Sequence, residues 1–450
     1  MAKRTKSKRA APPPVPVPRP PPKLARPPRA FPWLMLLEAA ILLAAGIWIY
    51  TPSLNGLWLW DDDFLIQQNA VVHDPQGLWY IWAQPSTLID YMPLTVTAWW
   101  LEWQIWPDNP LALHITNLVL HLASALLVWH LFRKLGIRLA WLGALLFAIH
   151  PANVESVAWM AELKNTLCMP PFLLTLLFWI DYERTRKPEY YVMALIFFTI
   201  AMLCKSTVVA FPGVILLYAW WRNGWRGWTP FLWDVLRAAP FGIVALLVAS
   251  ALIIYLRHGV GEQFIPLGGP LSRIACAGLS LLFYFSKAVL PLDLLPIYPQ
   301  WDINPPHALQ FLPWLVFGFA FWWLWRQRGE AWARHALFGL GFFFINLLPF
   351  VGFRAISFMR FGWVMDHFLY VPLLGLIGLA AAAAGRIDSM LSPVTRVWRV
   401  AGAAVVLMVL AIGAHQYDKI YVDRLALWTY TRTAQLDGVA RAQQPRQPVA

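Results

Sequence analysis

Leu57-Trp58-Leu59-Trp60-Asp61-Asp62-Asp63-Phe64 places three consecutive carboxylates just past the first long apolar segment of a very apolar chain. Charge at a membrane boundary is costly unless it stays wet or finds partners. Two readings follow. The acids form a solvated loop that trails a helix, or they face a cavity on the outer side of a membrane and do chemistry there.

Outward from these acids, the composition is that of a polytopic membrane protein. Of 450 residues, 59% are hydrophobic and 13% charged. Mean hydropathy is +0.53, far outside soluble-domain averages. Many of the 28 Trp lie near the ends of apolar runs, as in interfacial belts. The net charge of +13 is uneven, because Lys3, Arg4, Lys6, Lys8, Arg9, Arg19, Lys23, Arg26 and Arg29 stand in residues 1–30 with no acid. This excess is a topology signal, and no nucleic-acid partner is implied. Cys168, Cys204 and Cys276 lie in apolar stretches and imply neither a disulfide framework nor a metal spacing. No Gly-rich phosphate loop and no GxSxG elbow is present, which excludes a soluble nucleotide-binding enzyme.

The charge pattern sets the expected topology. Residues 1–30, basic and then Pro-rich, read as a disordered cytoplasmic tail. A first span at about 32–50 leads to a loop, 51–110, that holds Asp61, Asp62, Asp63, His73, Asp74, Asp90, Glu102 and Asp108 but no Lys or Arg. That loop is expected outside, with 76–83 and 92–105 lying in the interface. Further spans are expected at about 111–132, 139–150, 164–181, 190–203, 206–222, 235–256, 309–325, 336–350, 367–385 and 397–414. Segment 271–290 is long enough to cross. Tucked into a second outer loop (257–306), it keeps Arg326, Arg328, Arg334, Arg386, Arg396 and Arg399 inside. The expectation is eleven crossings in a membrane domain of residues 31–414, with a short outer tail, 415–450. Twelve crossings is the alternative.

Polar residues inside this frame mark candidate sites. His114, Asn117 and His121 share one helix face and either glue helices together or line a cavity, with His114 nearer the outer end. Pro151 ends a span and leaves His150 and Glu155 at its mouth, followed by Glu162, Lys164 and Asn165. These form a structural ion-pair cluster or a substrate site. Lys205 interrupts an apolar hairpin and Lys287 precedes Pro291. Arg354, Arg360, Asp366 and His367 put positive charge on an outer loop, against the topology rule. A lipid phosphate, which cations hold by charge-assisted hydrogen bonds, is one reason for it.

Eight blocks in order resemble a known family. They are Trp60-Asp61-Asp62; Tyr91-Met92-Pro93-Leu94-Thr95; His114-x-x-Asn117-x-x-x-His121; Leu146-Phe147-Ala148-Ile149-His150-Pro151-x-x-x-Glu155-Ser156-Val157-Ala158-Trp159; Lys205 before Phe211-Pro212; Lys287-x-x-x-Pro291-x-x-Leu294; Asn346-Leu347-Leu348-Pro349; and Asp366-x-x-x-Tyr370-x-Pro372. Over roughly residues 55–375 the chain resembles the membrane part of the transmembrane and tetratricopeptide-repeat O-mannosyltransferases and their bacterial relatives, in the GT-C superfamily. The resemblance implies an all-α, GT-C-type membrane bundle with an outward-facing site. It implies Asp61 as general base on an acceptor hydroxyl, assisted by Asp62, and a polyprenyl-phosphate-linked sugar as donor. Inversion at the anomeric carbon follows, with the lipid phosphate leaving toward Lys205, Lys287 and the His367 region. Three departures stand out. Leu163 replaces an Arg. Asp366-His367-Phe368 replaces Asp-Arg-Tyr, so that either Arg360 substitutes as the cation or the affinity for the donor differs. Tetratricopeptide repeats do not follow His415.

The expected function is therefore a hexosyltransferase of a bacterial inner membrane, with its site periplasmic and a protein or glycan as acceptor. Transfer to a lipid or glycan, transport of a polyprenyl-linked substrate, and an inactive scaffold are the alternatives. Transport is disfavoured because no paired Gly/Pro-broken helices occur in two matching halves. A divalent metal ion stays open as a cofactor.

Overall fold

A computed structural model describes residues 32–88, 90–259, 265, 267–390 and 392–443. The basic segment 1–30 lies outside the described residues. Helices α1 (Pro32–Ile49), α2 (Ala70–His73), α3 (Gly77–Ala83), α4 (Pro93–Ile105), α5 (Pro110–Lys134) and α6 (Ala140–Ile149) come first. Next come α7 (Val154–Ala158), α8 (Leu163–Thr185), α9 (Pro188–Cys204), α10 (Phe211–Asn223), α11 (Trp228–Gly259) and α12 (Pro270–Val289). Last are α13 (Leu312–Arg326), α14 (Ala331–Leu347), α15 (Leu373–Met390), α16 (Pro393–Asp418) and α17 (Arg424–Gln443). No strand occurs among the described residues. In a bilayer the helix is the element that satisfies its own backbone polar groups, so an all-helical chain is the physical expectation.

Local chemistry sets the helix ends. Pro110 opens α5 behind Asn109, whose side chain accepts from Ala112 N, and Arg133 and Lys134 occupy the last turn, where cations suit the helix dipole. α6 stops at His150-Pro151. α8 ends on Arg186, in the left-handed conformation.

Helix α8 is the centre. In its most apolar window 72% is buried against protein, compared with 11% for the α13 segment and 6% for α16. α5 and α9 flank α8, and α6 and α15 close the group. Phe172, Phe198, Phe211 and Phe241 interlock α8, α9, α10 and α11 at ring distances of 5.3–5.9 Å. α14 and α15 meet where Gly339 faces Gly375, and a Cβ on Gly375 would lie 2.4 Å from the Gly339 carbonyl. Such close approach needs small residues.

Charge is segregated along the bundle. Lys134 pairs with Asp181, and Arg138 and Arg399 both pair with Asp388 at 3.0 Å. Arg226 and Arg237 share Asp234. These ties join helix ends on one side, the basic end. Asp61, Glu155, Glu162 and Asp366 gather at the other, the acidic end.

Seven described helices are long and apolar enough to cross a membrane, and three shorter ones are apolar. The expected span at 206–222 differs. Residues Ser206–Ala210 form a 3-10 turn and only α10, of 13 residues, is α-helical. α12 is amphipathic and packs on α13 and the Asp366–Leu369 turn. The span expected from 367 begins at Leu373, because Asp366–Leu369 is a 3-10 turn. The tail expected from His415 is helical, as the end of α16 and as α17.

Candidate active site

The Asp61 turn is held by aromatic packing. Trp60 has φ +37°, a conformation that side-chain-bearing residues rarely adopt. Its ring stacks on Trp159 at 5.2 Å, meets Phe361 edge-on at 5.2 Å, and leans on Trp428 at 5.5 Å. A strained residue persists where its surroundings over-determine it.

The three acids have three different fates. The Asp61 carboxylate is half-buried and accepts no side-chain hydrogen bond among the described residues. Burial raises its pKa, Lys164 and Arg360 pull it back down, and Glu162 adds to the rise. Asp62 is fully buried. One oxygen accepts from Leu59 N at 2.8 Å and the other from Ala161 N at 2.6 Å. Burial pushes it well up, against those two backbone bonds. Asp62 thus clamps the turn onto the start of the α8 segment. Asp63 pairs with Arg424.

Beside Asp61 lies a buried ionic hub. Glu162 pairs with Lys164 at 2.8 Å through one oxygen, and through the other accepts from Lys205 at 3.1 Å and Asn165 at 2.6 Å. Lys164 also feels Asp61 and Asp90 and sits 5.8 Å over the Trp159 ring. Lys205 lies 5.6 Å over Phe368. Behind the hub, Glu155 accepts from His367 N at 3.2 Å and faces His367 Nδ1 at 2.9 Å. Burial lowers His367 to about 3, so its imidazole is neutral at physiological pH. Burial, then Asp366 and Glu162, push Glu155 well up. Asp366 accepts from the Tyr298 hydroxyl at 2.9 and 3.0 Å, and burial raises it to about 7.

Two crevices flank the Glu155–His367 pair. Trp60, Trp159, Glu155, Tyr421 and Leu427 line one. Asn165, Thr207, Asn346, His367 and Phe368 line the other.

Of the residues singled out in the sequence, Asp61, Glu155, Lys164, Lys205 and His367 converge here, with Arg360 exposed at the edge. His114, His150 and Lys287 do not join the hub. His114 is buried, and a Cβ on Gly56 would lie 2.7 Å from its Nε2. His150 ties Ala152 N and Ala288 O, each at 3.2 Å. Lys287 donates to the Leu292 and Asp293 carbonyls. Asn117 and His121 are interhelical glue, to Trp159 O, Thr166, Tyr370 and Ala148 O.

Three neighbours were not among the candidate site residues. Asp90 stands one residue before the Tyr91 block and was visible as a loop acid, whereas Glu162 was singled out together with Lys164 and Asn165. Tyr298 and Arg424 carry no local signal, since their partners are 68 and 361 residues away. Among the described residues no group of three or more His, Cys, Asp or Glu is placed to hold a metal ion.

Residues 93–256 match the family model described as dolichyl-phosphate-mannose-protein mannosyltransferase. That stretch holds the His114, His150 and Lys205 blocks, while those of Asp61, Lys287, Asn346 and Asp366 lie outside it. Protein O-mannosyl-transferase TMTC1 of Mus musculus is 31% identical over 208 residues, covering 40% of this chain and 22% of the relative. Its Homo sapiens counterpart is 30% identical over 208 residues, covering 40% and 23%. The chain thus spans less than a quarter of the length of these two relatives. A solved structure of ArnT from Cupriavidus metallidurans bound to undecaprenyl phosphate aligns with 93% of this chain and 82% of its own, at TM-score 0.45 and 15% identity. Over its matched segment the chain is similar in sequence to the protein O-mannosyl-transferases, in line with the resemblance carried by its motifs.

Proposed function

We propose that the chain is a membrane glycosyltransferase acting at the acidic end of its bundle. It moves a hexose, mannose or a close relative, from a polyprenyl phosphate to an acceptor hydroxyl, protein Ser or Thr first. The basic segment 1–30 stays in the cytoplasm and the site opens on the outer face, the periplasm of a bacterial inner membrane. The observation that carries this reading is the Asp61 carboxylate, half-buried and without a side-chain hydrogen bond among the described residues, beside the Lys164–Glu162–Lys205 hub.

Asp61 takes the proton from the acceptor hydroxyl. The acceptor oxygen attacks the anomeric carbon from the face opposite the phosphate. The carbon–oxygen bond to phosphate breaks, its electron pair leaves with the phosphate, and the sugar inverts. Lys164 and Lys205 stabilise the departing charge. Asp62, with both oxygens held by backbone N–H groups, keeps the turn in place.

The test gives purified protein a radiolabelled polyprenyl-phosphate hexose with Ser/Thr peptide, glycan or lipid acceptors, beside Asp61→Asn. Label in one acceptor, lost in the variant, supports the reading, and the acceptor that takes it names the branch. No label in any acceptor, with lipid-linked sugar crossing vesicles instead, overturns the enzyme in favour of transport. Full transfer by Asp61→Asn removes Asp61 as base.

A further inference from the structure

The chain end returns over the acidic end and grips the Asp61 turn at four points. Asp418 accepts from Ser53 N at 2.9 Å, and the Val422 carbonyl accepts from Leu57 N at 2.8 Å. The Arg424 guanidinium donates to the Trp58 carbonyl at 3.1 Å and to the Asp63 carboxylate. Arg424 therefore brackets Asp61 from both sides of the turn. Beyond it, Trp428 packs on Trp60 and Leu427 lines the Trp60–Glu155 crevice. Tyr430 and Gln435 anchor α17 on the Leu294 and Ile297 carbonyls, each at 3.2 Å.

We infer that Arg424 is a positioning residue for the Asp61 carboxylate, acting on transfer only through the turn it ties together. This rests on the reading of Asp61 as base. Asp61 has no side-chain hydrogen bond of its own among the described residues to fix it, and the strained Trp60 beside it must be held from outside. Arg424 binds on each side of both. Its own side chain is 53% exposed, so the ion pair adds little to global stability. Its effect falls on geometry, where a displacement of about 1 Å can cost about 10²-fold in rate.

The experiment compares wild type, Arg424→Gln and the swapped pair Asp63→Arg/Arg424→Asp. Hydrogen–deuterium exchange is read over 57–65, with α5 as internal control, and turnover is read with a radiolabelled polyprenyl-phosphate hexose. Arg424→Gln is expected to speed exchange in 57–65 at least tenfold while α5 and the melting temperature stay unchanged. It is also expected to lower kcat at least tenfold with donor KM within twofold, and the swap to restore part of both. Unchanged exchange in 57–65 overturns the inference, whether or not the protein transfers sugar. Faster exchange with kcat kept also overturns it, as does a raised donor KM with kcat kept, which makes Arg424 a donor ligand. A wild type without transferase activity removes the glycosyltransferase reading, and the exchange result still decides whether Arg424 holds the turn.

Discussion

Glu162→Gln is the sharpest perturbation of the ionic hub, because its two cations are unequally insured. Glu162 is 1% exposed, Lys164 13% and Lys205 10% at their side chains. Lys164 stays in the field of the Asp61 and Asp90 carboxylates when Glu162 is neutralised. Lys205 has no second carboxylate in ion-pair range among the described residues, so it is left as a buried charge facing an amide. Stranding one member of a buried pair costs about 3–5 kcal/mol, and the amide oxygen returns a fraction of that. The single variant should therefore lose about 3 kcal/mol in equilibrium unfolding in mixed micelles. Lys205→Met alone leaves Glu162 paired with Lys164 and should cost less. In the double variant no cation is stranded, so its loss should fall short of the sum of the two single losses by about 2 kcal/mol, within the range seen for contacting residues. Losses that add to within about 0.5 kcal/mol refute the assignment of Lys205 to Glu162. A loss below about 1 kcal/mol for Glu162→Gln refutes the hub as a buried charge cluster.

Other perturbations separate the neighbouring acids. Asp61→Asn should lower transfer about 10²–10⁴-fold with unfolding changed by no more than about 0.5 kcal/mol. Because burial raises the Asp61 pKa, the base form fills only above that raised value. The acid limb of kcat/KM should thus rise with pH at a higher pH than for an exposed carboxylate, and a flat profile from pH 4 to pH 8 speaks against Asp61. Asp62→Ala strands two backbone N–H groups and should cost about 3 kcal/mol, with Asp62→Asn milder; equal costs measured by unfolding count against the clamp. Asp366 binds its proton more tightly when folded, at about 7 against 3.8. Its contribution to stability is then full below pH 4 and is lost as pH rises toward 7, by up to about 1.4 kcal/mol per pH unit. Asp366→Asn should flatten that slope, and an unchanged slope assigns it elsewhere.

Much of the frame was legible because its signals are periodic or compositional. Apolar runs, the Pro151 stop and the clustering of Lys and Arg at one set of helix ends each read locally. The expected span at 206–222 failed at its start, since nothing in Ser206–Ala210 distinguishes a 3-10 turn from a helix of the same hydropathy. The site was legible in part. Asp61, Lys164 and Lys205 stood out as charges in an apolar chain. Glu162, the partner shared by the two lysines, stood beside Lys164 as one acid of a mouth cluster whose pairing spacing alone does not give. His150 and Lys287 looked alike as mouth groups, yet both spend their polar atoms on backbone atoms at turns, a use that spacing cannot reveal. Arg424 was beyond reach, because its role depends on the chain end folding back across 361 residues.

Helix α16 has only 6% of its apolar window buried against protein, which leaves that surface for lipid to cover. A thicker or thinner hydrocarbon layer changes the tilt of such a helix, and its far end carries Asp418 and leads into Val422 and Arg424. Acyl-chain length thereby becomes a control on the Trp60–Asp61 turn. Turnover in vesicles of graded acyl length should pass through an optimum, and Arg424→Gln should flatten it; a wild-type rate indifferent to thickness would show that α16 transmits nothing.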